Sequence, residues 1–464
     1  MPDTAFIGAT LIDGTGTPPR PDSAVVVKDG RIAWVGLVSE LDPANELRLL
    51  DVAGKYVIPG LLDANVHLII HFDPDILLRY EPGCYDDLVL EAAQVALGAG
   101  ITTVFDTWGP LESLRRVRDR VNTGEVTGSR IFVAGNIIGN DGPYSADFVP
   151  IFAQGLSSAV VERINQHWEQ GVGAELTWMS AADVRDAVKE YIATSGIDFV
   201  KYAGSSHAHS RFIAFSPDGQ CAIVEEAHAA GMTAQACTQT PEALKLAIEA
   251  GVDLLQHGDV TGLRPMPVET LNLIVERQLP CVAFLQTERH IAAFRERKPE
   301  WHGTAWGEVM AMKDVNDREL IKARAKLLLA NDMGVYGPTA KTSPLFGPFQ
   351  SGIPDVPTYL GSSHILWLRA AIERGMEPMD ALLSTTRNIA EAYRKDDELG
   401  TIEPGKRADL LVLDANPLDN VENYGRIAHV VKDGEIVDRD RLPEHPVLTD
   451  GSTWPATEQA RSLT

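Results

Sequence analysis

Cysteine is scarce in this chain. Four stand among 464 residues, at Cys84, Cys221, Cys237 and Cys281, and no two form a Cys-x-x-Cys pair. That density excludes a disulfide scaffold and fits a reducing compartment. Basic residues are outnumbered 41 to 65, leaving a net charge of −24. Such an acidic balance argues against nucleic acid and anionic membrane as partners. No uninterrupted apolar stretch is long enough to span a bilayer. The opening Met1-Pro2-Asp3-Thr4-Ala5-Phe6 lacks the charged and apolar regions of a secretory leader, so a cytoplasmic location is the expectation. A Gly-rich dinucleotide fingerprint is also missing, which leaves an open nucleotide-binding sheet without support.

What is present is an ordinary globular composition, 44% hydrophobic and 23% charged. Residues 1–56 read as short β-segments. The runs Ala24-Val25-Val26-Val27 and Arg31-Ile32-Ala33-Trp34-Val35 flank Lys28-Asp29-Gly30, and an Asp-Gly between two β-rich runs signals a hairpin. The pattern Val-x-Lys-Asp-Gly-x-Ile returns around Lys432. Residues 398–464 therefore supply the second half of one small β-domain, and end in an irregular tail with Pro443, Pro446 and Pro455.

Between these ends, over residues 57–397, strand-like runs alternate with helical patterns. The opening strand of this part lies within Val57–Leu68. Further candidates are Ile101–Asp106, Arg130–Gly135, Ile197–Ala203, Met232–Cys237, Val252–His257, Leu279–Leu285 and Met333–Gly337. Helices fit Ala181–Thr194, after the N-cap Ser180, and Pro241–Ala250. Such alternation implies a parallel sheet, and eight repeats imply an α/β fold of the (β/α)8 TIM-barrel type. Chemistry in a barrel sits at the C-terminal strand ends.

Those ends carry unusual residues. In Asp63-Ala64-Asn65-Val66-His67, the period of two places Asn65 and His67 on one side of a strand. Asp106 ends the next strand, where it either orients a ligand or caps the following helix. Lys201 lies inside an apolar strand and needs a partner. Cys237 is either a thiolate ligand or a small buried hydrophobe. His257 follows Leu254-Leu255-Gln256.

The stretch Pro59-Gly60-Leu61-Leu62-Asp63-Ala64-Asn65-Val66-His67 resembles the first barrel strand of the amidohydrolase superfamily, P-G-hydrophobic-hydrophobic-D-x-H-x-H, with Asn65 in place of the first His. Gly400-Thr401-Ile402-Glu403-Pro404-Gly405-Lys406-Arg407-Ala408-Asp409-Leu410 resembles the superfamily's split sandwich domain. Asp198-Phe199-Val200-Lys201 and Leu255-Gln256-His257-Gly258 match two more of its phrases.

The resemblance implies a (β/α)8 barrel plus a small β-sandwich built from both chain ends, in a homo-oligomer. It implies one divalent ion (Zn, Mn or Co) on Asn65, His67, Lys201 and His257, with Lys201 carbamylated by CO2. His257 and Lys201 are the catalytic residues it points to. One of His207, His209, His290 and His302 is taken as a proton relay, His209 being the one set among the catalytic residues. Alignment puts Cys237 and Gln239 where the fifth strand has its His pair, and Ala340 where the eighth has its Asp. On that register Asp332 precedes the strand, away from the catalytic end, and a second ion lacks ligands.

Asn-x-His resembles the branch of phenylurea herbicide and molinate (thiocarbamate) hydrolases. The implied substrate is a small, neutral, largely apolar molecule: an N-aryl-N′,N′-dialkylurea, or in the alternative a thiocarbamate. Trp108, Tyr144, His207 and Phe284 are candidates to line its pocket, with Phe72, Phe148 and Phe346 as further rings. Arg211 or Arg289 would instead suit a substrate carboxylate, as in the superfamily's dipeptidases. A metal-free, non-enzymatic barrel is the remaining alternative.

Overall fold

The computed structural model describes residues 3–42, 46–70, 74–81, 85–145, 153, 155–206, 212–297, 305–336, 354–356 and 359–450. The chain opens with β1 (Thr4–Leu11), β2 (Arg20–Lys28), β3 (Arg31–Leu37), β4 (Arg48–Asp51) and β5 (Tyr56–Pro59). Then come β6 (Leu61–Val66), β7 (Ile101–Asp106), β8 (Arg130–Val133), β9 (Ile137–Ile138) and β10 (Val200–Ala203). β11 (Ala234–Cys237), β12 (Leu254–Gln256), β13 (Cys281–Ala283) and β14 (Leu327–Leu329) follow, and β15 (Leu410–Leu413), β16 (Ile427–Lys432) and β17 (Glu435–Ile436) complete the strands.

Both chain ends build one eight-stranded sheet in the order β17-β16-β15-β5-β1-β2-β3, with β4 beside β1. Its core gathers Phe6, Leu11, Val25, Ile32, Val57, Ile402, Leu410 and Val412. The repeated Lys-Asp-Gly is a repeated turn. Asp29 and Gly30 have φ of 48° and 75°, and Asp433 and Gly434 have 47° and 82°. Two positive φ values in succession are what a tight hairpin of this hand requires. The two turns also pack together. A Cβ on Gly434 would lie 2.7 Å from Val27 Cγ1 and 3.3 Å from Gly30 Cα. Ala408 ties them, donating to Gly30 O at 2.9 Å and accepting from Gly434 N at 3.0 Å.

β5 pairs antiparallel with β15, Pro59 facing Leu410. The change of sheet therefore falls at Gly60, not between residues 56 and 57. Thr102 leaves no room for a Cβ there.

Every strand pair from β6 to β14 is parallel, as expected of a TIM-barrel-type α/β fold. Pairing divides these strands into β6-β7-β8 and β14-β13-β12-β11-β10-β9. The gaps between the two sheets carry few backbone bonds: Asp198 N donates to Val133 O at 2.8 Å on one side, and Asp332 N to Asn65 O at 2.7 Å and His67 N to Met333 O at 3.3 Å on the other. Helices lie between strands as anticipated. One runs Ala181–Ser195, with Ser180 Oγ accepting from Asp183 N at 3.2 Å. Another runs Pro241–Ala250, with Thr240 Oγ1 accepting from Ala243 N at 3.1 Å.

The expected last strand, Met333–Gly337, is corrected. Met333, Gly334, Val335 and Tyr336 belong to no strand, and Gly337 lies outside the described residues. The strand is the upstream run Leu327-Leu328-Leu329, fully buried, with Leu327 facing Cys281 and Leu329 facing Ala283. Three leucines without a β-branched residue hide a strand from propensity. Their burial against β13 decides the matter.

The segment after β17 is irregular but fastened. The buried Glu91 carboxylate, on the helix Asp86–Gly98, accepts from the backbone N–H groups of Val447, Leu448 and Thr449 at 2.9, 2.6 and 2.8 Å. Among the described residues no helix is long and apolar enough to cross a membrane.

Candidate active site

The site grows from the end of β6. Asn65 and His67 are both buried. His67 Nδ1 lies 3.0 Å from Trp108 O. A backbone carbonyl only accepts, so Nδ1 carries the hydrogen and Nε2 is the nitrogen left to face the site. The Trp108 ring stands edge-on to His67, centroids 5.9 Å apart, and its indole donates to Asn136 Oδ1 at 2.9 Å. Asp106 accepts from Leu68 N at 2.8 Å and Trp108 N at 3.2 Å. It braces the backbone on both sides of that contact. The helix it was considered to cap begins only at Leu111, beyond Pro110. Burial raises the Asp106 carboxyl to about 6, against the lowering effect of His67.

Asp332 stands at the centre, which corrects the sequence register. It follows β14, and so sits at the catalytic end of the strand. Its Oδ1 lies 3.0 Å from His67 Nε2 and accepts from Asn65 Nδ2 at 2.8 Å. Burial alone would raise this carboxyl. The imidazoles of His257 and His67 and the Lys201 ammonium outweigh it and hold Asp332 well below the usual carboxylate range. Asp63 fixes the approach: it accepts from Asn65 N at 3.1 Å, from Asn331 N at 3.2 Å and from Asn331 Nδ2, so the ends of β6 and β14 are clamped together.

Asn65 shows its amide nitrogen, not its oxygen, to Asp332. The same nitrogen donates to Gln256 Oε1 at 2.9 Å, and Oδ1 accepts from the Thr107 hydroxyl. Lys201 Nζ donates to Thr107 Oγ1 at 2.9 Å. Lys201 is 1% exposed, and burial lowers its pKa, opposed by Cys237, Asp332 and Asp106. His257 has a left-handed backbone, φ 56°, and burial drops its imidazole to about 4. It is neutral at ordinary pH, the form that ligates metals. The Cys237 thiol is buried and pushed up to about 11, chiefly by that burial. Gln239 is held by its backbone, N to Ser205 Oγ at 2.9 Å.

Among the described residues, no three His, Cys, Asp or Glu side chains are grouped so as to hold an ion by themselves. The donor chemistry nevertheless suits one. A neutral imidazole, an ionised carboxylate and a second imidazole whose hydrogen is committed on the far nitrogen all turn inward. His67 Nε2 and Asp332 Oδ1, 3.0 Å apart, both face the place where a cation would serve them. Such N/O donors accept Zn, Mn or Co. Completing the cage requires a further donor, and Lys201 and Asn65 are the buried candidates beside it.

Of the proposed pocket residues, Phe284 stands against the site, half-buried with its ring 4.9 Å from His257. Trp108 is 1% exposed and held by the bonds above, and its carbonyl positions His67. Tyr144 is buried in the core, its N donating to Asn165 Oδ1 at 3.0 Å. His290 is buried with Nδ1 3.1 Å from Pro354 O. Arg289 faces Asp355 at 3.8 Å. His207, His209, Arg211, His302, Ala340, Phe72, Phe148 and Phe346 lie outside the described residues. Sequence reasoning missed Asp332, Thr107, Gln256 and Gln235. For Asp332 a signal was present, an acid directly after the apolar run Leu327–Ala330.

The sequence pattern of the Amidohydrolase family matches residues 308–437. Among solved structures, molinate hydrolase is 34% identical with a TM-score of 0.88, over 98% of each chain. Phenylurea hydrolase B is 32% identical with a TM-score of 0.86, over 96% of this chain and 99% of that one. Ochratoxinase of Aspergillus niger is 25% identical over 453 residues, 93% of this chain and 86% of that protein.

Proposed function

We propose, for a chain that belongs to the amidohydrolase family, that it is a divalent-metal-dependent hydrolase cleaving a carbonyl C–N bond of a small, neutral, largely apolar substrate. The observation that carries this reading is the convergence of His67, Asn65 and Asp332 at the C-terminal ends of β6 and β14. An N-aryl-N′,N′-dialkylurea is the first expected substrate, split to an aniline and a carbamic acid. A thiocarbamate is the second, favoured by the likeness to molinate hydrolase.

Asp332, His67 and His257 would hold the ion, with Lys201 as its carbamate and Asn65 beside them. When bound, a divalent ion supplies Lewis acidity that polarises a carbonyl and acidifies a water. The chain's own groups do the rest. Trp108 O fixes the His67 tautomer and Asp106 fixes the backbone under it. His257 and His67 keep Asp332 ionised against its burial, so that this carboxylate holds positive charge and does not store a proton. His209 remains the proposed carrier of the proton to the leaving nitrogen. Phe284 gives the substrate an apolar wall against the His257 ring.

Lys201 is suited to modification. Burial favours its neutral amine, the form that attacks CO2: an N–C bond forms, the nitrogen loses a proton, and a carboxylate results. A homo-oligomer acting on a small molecule is part of the same reading. A carboxylate-binding pocket on Arg289 has no support, since that side chain faces Asp355.

The test is metal content per chain after purification without chelator, followed by hydrolysis assays. About one equivalent, lost in Lys201→Ala, with aniline release from phenylureas, is the expected result. Loading with Zn, Mn or Co in bicarbonate without turnover of phenylurea or thiocarbamate would sink the proposal.

A further inference from the structure

Beneath Asn65 runs a chain of buried amides whose direction is set by one group. Asp332 is ionised and only accepts, so the Asn65 atom at 2.8 Å from it must be the –NH2. Asn65 Oδ1 then faces Thr107, and Nδ2 also reaches Gln256 Oε1 at 2.9 Å. Gln256 is thereby oriented too, and its Nε2 donates to Gln235 Oε1. The Tyr393 hydroxyl lies 3.3 Å from the same Gln235 oxygen. Turning the Gln235 amide over would set its –NH2 against that of Gln256. Gln235 Nε2 is therefore the donor left over. It is fully buried and has no hydrogen-bond partner among the described residues. A buried donor in that state costs stability unless something that accepts is brought to it.

Gln235 and Lys201 are register partners on the neighbouring parallel strands β11 and β10. Their side chains leave the sheet on the same face. We infer that Gln235 is a positioning residue whose Nε2 donates to an oxygen of the carbamate formed on Lys201. This rests on the carbamate reading above and goes beyond it by naming what stabilises the modified lysine. The carbamate nitrogen keeps one hydrogen, enough to preserve the bond to Thr107 Oγ1. The new carboxylate gains a charge-assisted bond that the amine could not make. The residues that carry this inference are internal to the barrel, so no loop rearrangement is needed.

The experiment is 13C NMR of the zinc-loaded protein equilibrated with 13C-bicarbonate, with Lys201→Ala as the blank. Zinc retained at each bicarbonate concentration is the second readout. Gln235→Glu keeps the oxygen that Gln256 and Tyr393 use and replaces the donor with an anion. Gln235→Met removes the donor at similar volume. The wild type should show a lysine carbamate signal that the blank lacks. Gln235→Glu should abolish it, and Gln235→Met should raise the bicarbonate needed for half-maximal signal and zinc retention about tenfold. A folded Gln235→Glu with an unchanged signal and unchanged bicarbonate dependence overturns the inference. A wild type without the signal overturns the carbamate reading itself, and the inference with it.

Discussion

Asp332 and Thr107 do different work in the same small volume. Asp332 bears the charge that gathers His67 and Asn65. Asp332→Asn should lower kcat about a hundredfold or more and release the metal during dialysis, both readable by assay and elemental analysis. Thr107 bears no charge, yet it holds Lys201 and Asn65 at once. Thr107→Val should weaken zinc retention about tenfold, measured by competition with a chelator, while Thr107→Ser retains it. His67, Lys201 and His257 could be singled out in the sequence because the phrases around them match those of the superfamily. Asp332 could not. Its strand is three leucines, and a glycine-containing segment just downstream, Met333–Gly337, imitated the expected ending. Thr107, Gln235 and Gln256 were invisible for another reason: their importance lies in bonds to residues far away in the chain.

At the level of elements, the hairpin turns are the clearest agreement between sequence and structure. Asp-Gly predicted them, and the positive φ values and turn-to-turn packing explain the repeat. Gly434→Ala should cost about 1–3 kcal/mol, seen as a lower Tm with metal content unchanged. The helix Ala305–Lys322 carries a less readable device. Lys313 Nζ, buried, lies 2.9 Å from Asp259 Oδ2 and 2.8 Å from Asp317 Oδ2, and also donates to Phe284 O. It thus links the segment after His257 to the ring that faces it. Burial raises Asp317 to about 7 from 3.8, despite the opposing pull of Lys313. A carboxyl that keeps its proton longer when folded makes the folded state lose stability as pH climbs from about 4 to 7, and the loss then levels off. Asp317→Asn should flatten that part of the Tm–pH curve relative to the wild type. An equally steep curve would show that Asp317 ionises normally.

Across the whole molecule, the alternation of strands and helices and the shared phrase Val-x-Lys-Asp-Gly-x-Ile made the general plan readable. The joints between parts were not, because a joint is decided by contacts. Gly60 marks the change of sheet because β5 pairs with β15 up to Pro59, and Thr102 occupies the space beside it. The fastening of residues 447–449 to Glu91 is likewise a contact between distant segments. Glu91→Ala should remove this acceptor from three N–H groups, of which that of Leu448 is buried. Limited proteolysis should then cut within 438–450 at a rate that the wild type resists, and Tm should fall by an amount set by about 1–3 kcal/mol for each unsatisfied group.

The end sheet has a consequence for how the protein is made. β5 lies between β1 and β15, so the first strands off the ribosome keep an open edge until residues 410–413 have been synthesised. The barrel strands emerge in the interval and can assemble first. A message cut short before β15 leaves that edge bare, a template for aggregation and a mark for proteolysis. The sheet therefore stays incomplete in any chain that stops short of β15, even where the barrel strands and the residues of the site have already been made.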